Sequence, residues 1–415
     1  MNGYSQLKIA AYLTRYRSNL ISVFWSLAGQ GLNFFAMLLP VLLKSGEQLA
    51  YLLLPLSAAA ILRIVFTAAF HVRYLTIGAE DRIVARNLAS FGLTAFFFLT
   101  LLCALAMASM NVDAALVIAS VALLTYCIGF YFVAVTVLIF EKEKQTYGTG
   151  RLIFGVLNFG STLAMICLFD YIFGLVLATA LTNIVVAVWM LHKSSLGLQE
   201  LFSINWRIVF SRRAGAYLIA SKSVISSSLI SDLGYQVQGL LTPLMGPHKE
   251  LWAIVVRLSG GFGTLGQQIL APLFEMRISE VSREKRADKA RKLSVAAQLV
   301  GAGFGLVVAI ALALILVFLY PEMVTGNSWL VWICFAYCWL LLASSLTMKV
   351  PYLLGHDRHM LYWSILRLVL TIPLFVFSGS LLLIILVAVQ ALVSLYLIYI
   401  TVQKPNFPSY CSPHR

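Results

Sequence analysis

Charged residues are scarce in this chain of 415 residues: they make up 11% of it, with 16 acids against 30 lysines and arginines. Soluble domains carry about 25% charged residues, so an ordinary soluble protein is excluded. Cysteine is also rare, and the six that occur show neither metal-ligand nor disulfide spacing. We therefore predict no metal site and no resident cofactor. The excess of positive charge is explained by the loops described below, and no nucleic-acid partner is predicted.

Hydrophobic residues fill the space that charge leaves, at 61% of the chain and a mean hydropathy of +0.90. A helix that crosses a bilayer needs about 20 mostly apolar residues. Twelve segments meet this requirement, and they predict an all-α polytopic membrane protein. The segments are 20–43, 48–70, 88–110, 114–140, 151–169, 172–192, 215–243, 251–274, 293–319, 328–354, 360–378 and 381–402.

Lysine and arginine are distributed unevenly over the loops between these segments. The N-terminal arm, every second loop and the C-terminal tail are basic, whereas the remaining loops contain only Lys44 and Lys249. Cytoplasmic loops of membrane proteins carry an excess of Lys and Arg. The pattern predicts that both termini are cytoplasmic and that an even number of helices spans the membrane.

The longest cytoplasmic connection divides the predicted spans into two groups of six. We predict an N-terminal lobe at 1–192, a basic linker at 193–214, a C-terminal lobe at 215–402 and a tail at 403–415. An ungapped comparison of the lobes sets Ser26 on Ser228 and Gln30 on Asp232. This favours a parallel repeat, as many transporters have, although leucine-rich helices also align by chance.

The stretch "AAAILRIVFTAAF" (58–70) places a permanent cation, Arg63, inside an apolar segment. Ionisable groups within a membrane are functional candidates because burying them is costly. The alternative is that a long side chain near a helix end reaches the interface. That alternative is least favourable for Arg63, which lies far from both ends of its span. The cations within the predicted spans are Arg63, Lys222, Arg257, Lys349 and Arg367.

Polar residues follow helical spacing on the first, seventh and eighth predicted spans. They include Gln30 on the first, Asp232 on the seventh, and Thr264 and Gln268 on the eighth, on the face of Arg257. Such stripes avoid lipid and either line a wet cavity or join helices. Asp232 is either an ion-coupling group or the partner of Arg257. One acid cannot neutralise five cations, and Arg63 has no evident partner.

An anionic cargo would supply the missing negative charge, because the planar guanidinium group suits phosphate oxygens. We therefore predict that Arg63, Arg257, Lys222, Lys349 and Arg367 serve a phosphorylated substrate, with Gln30, Thr264 and Gln268 beside them. Prolines within several spans would permit kinks that suit alternating access.

Three stretches carry a resemblance to a known family: "LISVFWSLAGQGLNFFAMLLPVLL", "SDLGYQVQGLLTPLMGPHKELWAIVVRLSGGFGTLGQQILAPLFEMRISE" and the charged "REKRADKARK". They resemble the polysaccharide exporters of the multidrug/oligosaccharidyl-lipid/polysaccharide (MOP) superfamily, in particular Wzx-type O-antigen flippases. The resemblance implies two six-helix lobes in a bacterial inner membrane. It also implies movement of an undecaprenyl-pyrophosphate-linked oligosaccharide to the outer leaflet, cations in a central cavity at positions similar to Arg63 and Arg257, and H⁺ or Na⁺ coupling. Other polysaccharide assembly proteins are expected as partners.

Two other functions stay open. A multidrug or small-solute antiporter of the same fold would need acids in its cavity, and only Asp232 lies deep in a span. The multidrug relatives often hold acids in the first lobe, where this chain has Gln30 and Arg63. A membrane glycan polymerase or ligase would need reactive groups in sizeable outside loops, whereas the predicted ones are short. We therefore expect a transporter and not an enzyme.

Overall fold

The computed structural model describes residues 3–75, 77–169, 171–194, 204–284, 286–325, 327–403 and 405. These residues form long helices joined by short turns, and they contain no β-strand. The predicted all-α fold is therefore confirmed. The chain divides into two compact units, Met1–Gln236 and Val237–Arg415.

The first unit consists of six long helices and most of a seventh. The long helices are α1 (Gly3–Leu42), α2 (Gly46–Phe66), α3 (Ala79–Ala108), α4 (Val112–Glu141), α5 (Lys144–Ala164), α6 (Gly174–Lys193) and α7 (Arg212–Leu240). A short helix, Phe70–Arg73, lies between α2 and α3, and another, Trp206–Val209, precedes α7. A π-helical turn, Met165–Phe169, follows α5.

The second unit begins within the last turn of α7 and contains six further helices. They are α8 (Lys249–Leu265), α9 (Ala271–Arg283), α10 (Ala287–Leu319), α11 (Trp329–Ser345), α12 (Asp357–Thr371) and α13 (Gly379–Val402). A π-helical turn, Gly266–Leu270, continues the helical backbone from α8 to α9, and short helices follow α10 and α11. Two 3₁₀ turns, Thr242–His248 and Ile372–Val376, contain prolines that cannot continue a regular helix.

Ten of the twelve predicted spans coincide with described segments that are long and apolar enough to cross a membrane. The other two predicted spans correspond to α7 and α8. Serine-rich α7 has only a shorter apolar stretch, Val224–Gly234. Helix α8 ends after 17 residues, where the π-helical turn begins. Both are helical, but they contain more polar and small residues than the ten apolar segments do.

Helix α4 forms the centre of the first unit and packs against α2, α3 and α6. Its residues are apolar on every side, which is typical of a helix that is surrounded by protein. Phe130 and Leu124 on α4 are fully buried. Helices α1 and α5 approach each other closely through glycine, because a methyl group on Gly29 would lie 2.2 Å from the carbonyl oxygen of Arg151.

Helix α11 has the corresponding place in the second unit, where it packs against α8, α10 and α13. Buried polar groups join these helices: Gln298 Nε2 donates to the Ala343 carbonyl at 2.9 Å, and Thr347 Oγ1 donates to Gln298 Oε1 at 2.7 Å. The Trp252 and Tyr337 rings meet edge to face, with centroids 4.7 Å apart. Satisfied polar groups inside an apolar bundle fix the register of its helices.

Three basic connections of the first unit lie at the same end. The Tyr74 ring, after α2, meets the Phe140 ring at the end of α4 with centroids 5.5 Å apart. Arg82 at the start of α3 lies over Phe140, with Cζ 3.9 Å from the ring centroid. Arg213 at the start of α7 pairs with Asp81 at 3.4 Å. The loops that the charge pattern assigns to one side are thus neighbours in space, and the side of the membrane stays a prediction.

The predicted lobe boundary at 193–214 stays a prediction. Residues 195–203 of that linker lie outside the described part of the chain. The two compact units divide further along, at Gln236 and Val237, so that most of α7 belongs to the first unit. Of the predicted tail at 403–415, the structure describes Gln403 and Pro405.

Candidate functional site

Arg63 lies in the last turn of α2 and has a protein partner. Its Nη2 atom is 3.6 Å from Oδ2 of Asp232 on α7, and the two side chains are 14% and 33% exposed. The prediction that Arg63 lacks a counter-charge is therefore wrong. Asp232, which the sequence offered as a partner for Arg257, has Arg63 as its partner because the first part of α7 belongs to the first unit.

The ion pair leaves part of the Arg63 guanidinium group without a hydrogen bond. The 3.6 Å separation is longer than a normal hydrogen bond, and the buried Nε has no hydrogen-bond partner among the described residues. The Phe132 ring stabilises the cation, since Cζ lies 3.6 Å from the ring centroid. Arg63 is thus held by one long ion pair and one aromatic face. Its Nε–H has no acceptor among the described residues.

A small pocket lies beside Arg63 at the end of α2. His71 on its wall has its pKa lowered to about 4, mainly by burial and secondly by the positive charge of Arg63. This histidine is therefore neutral at pH 7 and adds a polar but uncharged group. The lining residues are Arg63, Thr67, Phe70, His71, Gly129, Phe132 and Val133.

A strained turn fixes the end of the helix that carries Arg63. Ala68 and Ala69 have φ values of 49° and 53°, a left-handed conformation that costs roughly 1–2 kcal/mol for a residue with a side chain. The Thr67 hydroxyl and amide both donate to the Arg63 carbonyl, at 2.7 and 2.9 Å. These bonds complete the last turn of α2, and the left-handed residues Ala68 and Ala69 then end the helix.

Arg257 lies in the middle of α8 in the second unit. The residue is partly buried, and its Nε is inaccessible and has no hydrogen-bond partner among the described residues. No ion pair to Arg257 occurs among the described side chains. Of the cations predicted within the spans, Arg257 is therefore the partly buried one for which the described part of the chain provides neither an acid nor a hydrogen-bond acceptor.

The other three predicted cations have different surroundings. Lys349 Nζ lies 3.7 Å from Glu275 Oε2, and the lysine side chain is 71% exposed. Arg367 is buried at 6% exposure, with Cζ 5.3 Å from the centroid of the Trp363 ring. Lys222 on α7 is exposed. Lys349 and Lys222 therefore remain accessible to a ligand, whereas Arg367 is enclosed by its own unit.

The predicted polar stripes serve in part to join helices. Asn33, on the stripe of α1, accepts a hydrogen bond at 2.6 Å from Asn158 Nδ2 on α5. Gln30 on the same stripe is partly buried. The Thr264 hydroxyl donates to the Gly260 carbonyl of its own helix at 2.9 Å. The side chain of Gln268 lies outside the described part of the structure.

Sequence analysis missed a sixth cation, Arg151 on α5. It is half-buried, and its Nε donates to the Tyr147 hydroxyl at 3.1 Å. It was overlooked because it stands at the first position of the predicted fifth span, where a cation resembles a normal cytoplasmic flank. The signal was the apolar stretch 152–157 directly after it and Tyr147 one helical turn before it.

Metal ligands are not assembled in the part of the chain that the structure describes: no group of three or more His, Cys, Asp or Glu side chains lies together there. Guanidinium groups and one carboxylate, held by apolar helices, can bind and exchange ions.

Comparison with known proteins supports the fold. No protein-family model and no curated protein matches the chain. A multidrug resistance MATE family transporter of the MOP superfamily, solved in an inward-facing conformation, matches with a TM-score of 0.53 and 18% identity, over 92% of this chain and 93% of that one. The Vibrio cholerae MATE transporter VcmN matches with a TM-score of 0.45 and 16% identity, over 93% and 95%. At 18% identity, the first of these similarities shows the fold alone, a MATE-like transporter fold of two lobes.

Proposed function

We propose that this protein is a flippase that moves an undecaprenyl-pyrophosphate-linked oligosaccharide, such as an O-antigen repeat unit, from the inner to the outer leaflet of a bacterial inner membrane. The observation that carries the proposal is Arg257, a cation in the middle of an apolar helix with no described partner. A charge in that position is costly unless something neutralises it. A pyrophosphate group would do so when the cargo binds.

The acids near two of the other cations are already paired, which supports the assignment of Arg257 to the cargo. Asp232 is engaged by Arg63, and Glu275 by Lys349. Arg257 remains available for the cargo, and the fork of N–H donors on its planar guanidinium group can bind two phosphate oxygens at once. A cargo of this charge suits a protein whose predicted spans contain six cations, Arg151 included, and one deep acid.

Arg63 and Asp232 supply a coupling step in this proposal. Their atoms are 3.6 Å apart and Asp232 is one-third exposed, so a phosphate oxygen can displace the carboxylate from Arg63. The released Asp232 would then take up H⁺ or Na⁺, which links cargo movement to an ion gradient. Lys222 and Lys349, which are accessible, guide the cargo, whereas buried Arg367 supports the interior of its own unit.

The proposal includes alternating access, with both termini in the cytoplasm and transport without a chemical reaction. The inward-facing relative with 18% identity is a transporter of the MOP superfamily, which is compatible with this cycle. Other polysaccharide assembly proteins would deliver the cargo and consume it. The isoprenoid tail would remain in lipid throughout.

Thermal stabilisation of the purified protein in detergent tests the proposal. An isoprenoid pyrophosphate that carries a short sugar should raise the melting temperature, and Arg257→Gln should abolish the rise. Arg257→Lys keeps the charge but loses the fork, so it should retain a smaller rise. Arg358→Gln is the matched control, because it removes an exposed cation from the same unit and should respond like the wild type.

A melting temperature that lipophilic cations raise, and the pyrophosphate lipid does not, would contradict the flippase. The same holds if Arg257→Gln responds to the lipid as fully as Arg358→Gln does.

A second function, a multidrug or small-solute antiporter, is favoured by Asp232 itself. It is a partly exposed acid deep in a predicted span, and such a group can exchange a proton for a cationic solute. Asp232→Asn distinguishes the two functions. In an antiporter it abolishes stabilisation by cations, whereas in the flippase it leaves Arg63 free and strengthens stabilisation by the pyrophosphate lipid.

A further inference from the structure

A short segment before α7 combines exposed aromatic rings with exposed arginines. We call residues 204–213 the arginine–aromatic segment; it includes the one-turn helix Trp206–Val209. The Trp206 and Phe210 side chains are 58% and 74% exposed, and their rings are nearly parallel with centroids 6.1 Å apart. Neighbouring exposed rings of this size form an apolar surface that can contact lipid or a partner.

The segment is firmly attached to the first unit. The Asn205 amide donates to Asn87 Oδ1 on α3 at 2.8 Å, and Val209 is buried in the hydrophobic core of the unit. Arg213 forms ion pairs with Glu80 and Asp81 at the start of α3. The exposed rings therefore belong to a segment whose position is fixed by its contacts with the first unit.

Helix α3 defines the level at which the rings lie. It has 30 residues, which at 1.5 Å per residue is about 45 Å, longer than the ~30 Å hydrocarbon core. Its first turns carry Glu80, Asp81 and Arg82, so the excess length is at this end. Phe91, at the start of the predicted span, contacts Trp206 and Phe210 with centroids 5.5 and 6.0 Å away. The rings thus lie where hydrocarbon meets headgroups.

The charges beside the rings select the kind of headgroup. Arg207 and Arg212 are exposed, and neither has an ion-pair partner among the described residues. Arg213 is already paired with acids of the same unit. Basic residues at a membrane surface attract anionic lipids, and Trp and Phe insert beside them at the interface.

We propose that the arginine–aromatic segment is a binding site for anionic phospholipids of the cytoplasmic leaflet. Trp206 and Phe210 insert between lipid chains, and Arg207 and Arg212 hold the phosphates. The site fastens the part of the first unit just before α7 to the membrane surface. It involves none of the residues assigned to the cargo, so its test is independent of the flippase function.

Native mass spectrometry of the full chain in neutral detergent tests this site, with phosphatidylglycerol and phosphatidylcholine as probes. The wild type should bind phosphatidylglycerol more tightly, and Arg207→Gln with Arg212→Gln should weaken that binding by about tenfold or more. The matched control is Lys289→Gln with Lys292→Gln, which removes two exposed cations at the start of α10. The control should retain the affinity of the wild type.

Equal losses in both double variants would overturn the proposal, because only net charge would then matter. So would an absent preference for phosphatidylglycerol, or inorganic phosphate that competes as well as the lipid.

Fluorescence gives a second measurement that does not depend on the arginines. The difference in emission between the wild type and Trp206→Phe isolates one indole, and brominated lipids in nanodiscs should quench it. An indole that is quenched by aqueous iodide and not by brominated lipid would place the segment in water and overturn the proposal.

Discussion

Arg63 is stabilised by a carboxylate and an aromatic ring, neither of which lies near it in sequence. The Phe132 ring belongs to α4 and Asp232 to α7. Because both side chains of the ion pair are largely removed from water, loss of either partner leaves an uncompensated charge. Breaking such a pair is more damaging than its modest net stabilisation suggests.

We predict that Arg63→Gln and Asp232→Asn are each destabilising and that their effects are not additive. Asp232→Asn should lower the free energy of unfolding by about 1–3 kcal/mol, less than for a fully buried pair because Asp232 is partly exposed. The loss of unfolding free energy in the double variant should be about 1 kcal/mol smaller than the sum of the two single losses. Chemical denaturation in detergent measures the cycle.

The control cycle combines Arg63→Gln with Glu143→Gln, an exposed acid of the same unit. Its effects should add. Additive effects for Arg63 and Asp232 as well would show that the ion pair contributes nothing to the folded state.

Helices α1 and α5 are in closer contact than side chains would allow. A methyl group on Gly155 would lie 2.2 Å from the Gly29 carbonyl oxygen, and one on Gly148 would lie 2.5 Å from the Ser22 carbonyl oxygen. In lipid, helices associate through close packing and hydrogen bonds, because the hydrophobic effect does not act between them. The small glycine residues allow such close packing here. The Asn33–Asn158 hydrogen bond joins the same two helices.

We predict that Gly29→Ala destabilises the first unit and that Gly31→Ala, two residues further along α1, does not. The added methyl group of Gly29→Ala would lie 2.2 Å from the Arg151 carbonyl oxygen, so the helices must separate, at a cost of roughly 1–3 kcal/mol. A methyl group on Gly31 has nothing within 4 Å, and the better helix former should leave stability unchanged or raise it by up to about 1 kcal/mol. Melting temperatures in detergent compare the two.

Equal melting temperatures for the two variants would mean that α1 and α5 are not held at the distance that the structure gives. Gly160→Ala on α5, where a methyl group also meets nothing within 4 Å, checks that alanine as such is tolerated on the partner helix.

The distribution of charge over the whole chain predicts its orientation in the membrane. Net charge is +14, and three of the basic connections lie together at one end of the first unit. The positive-inside rule assigns that end to the cytoplasm. The turn between α3 and α4, around Met110, is then outside.

Cysteine labelling in intact cells tests this orientation. In a chain without its six native cysteines, Met110→Cys should react with a membrane-impermeant thiol reagent, because Met110 is 82% exposed at the outer end of α3. Lys142→Cys, exposed in the turn between α4 and α5, should react only after the cells are permeabilised. The reverse order of labelling would invert the proposed direction of transport.

Composition by itself determined the class of this protein and most of its helices. Apolar runs of about 20 residues have few stable alternatives to a membrane-spanning helix, because backbone groups must be satisfied within each segment. That constraint is local, so segments such as 114–140 and 381–402 agree with α4 and α13 to within a few residues. The cationic character of the candidate site was also evident from the sequence, since charges inside apolar runs are conspicuous.

Only the tertiary structure decided which of those charges meet. Asp232 faces Arg63 because the first part of α7 packs with the first unit, and sequence position offers no measure of that neighbourhood. Burial of Arg367 and pairing of Lys349 with Glu275 have the same origin. Helix formation follows from local backbone requirements, whereas ion pairing depends on how helices pack, and apolar helices of similar composition do not encode that packing in any short stretch.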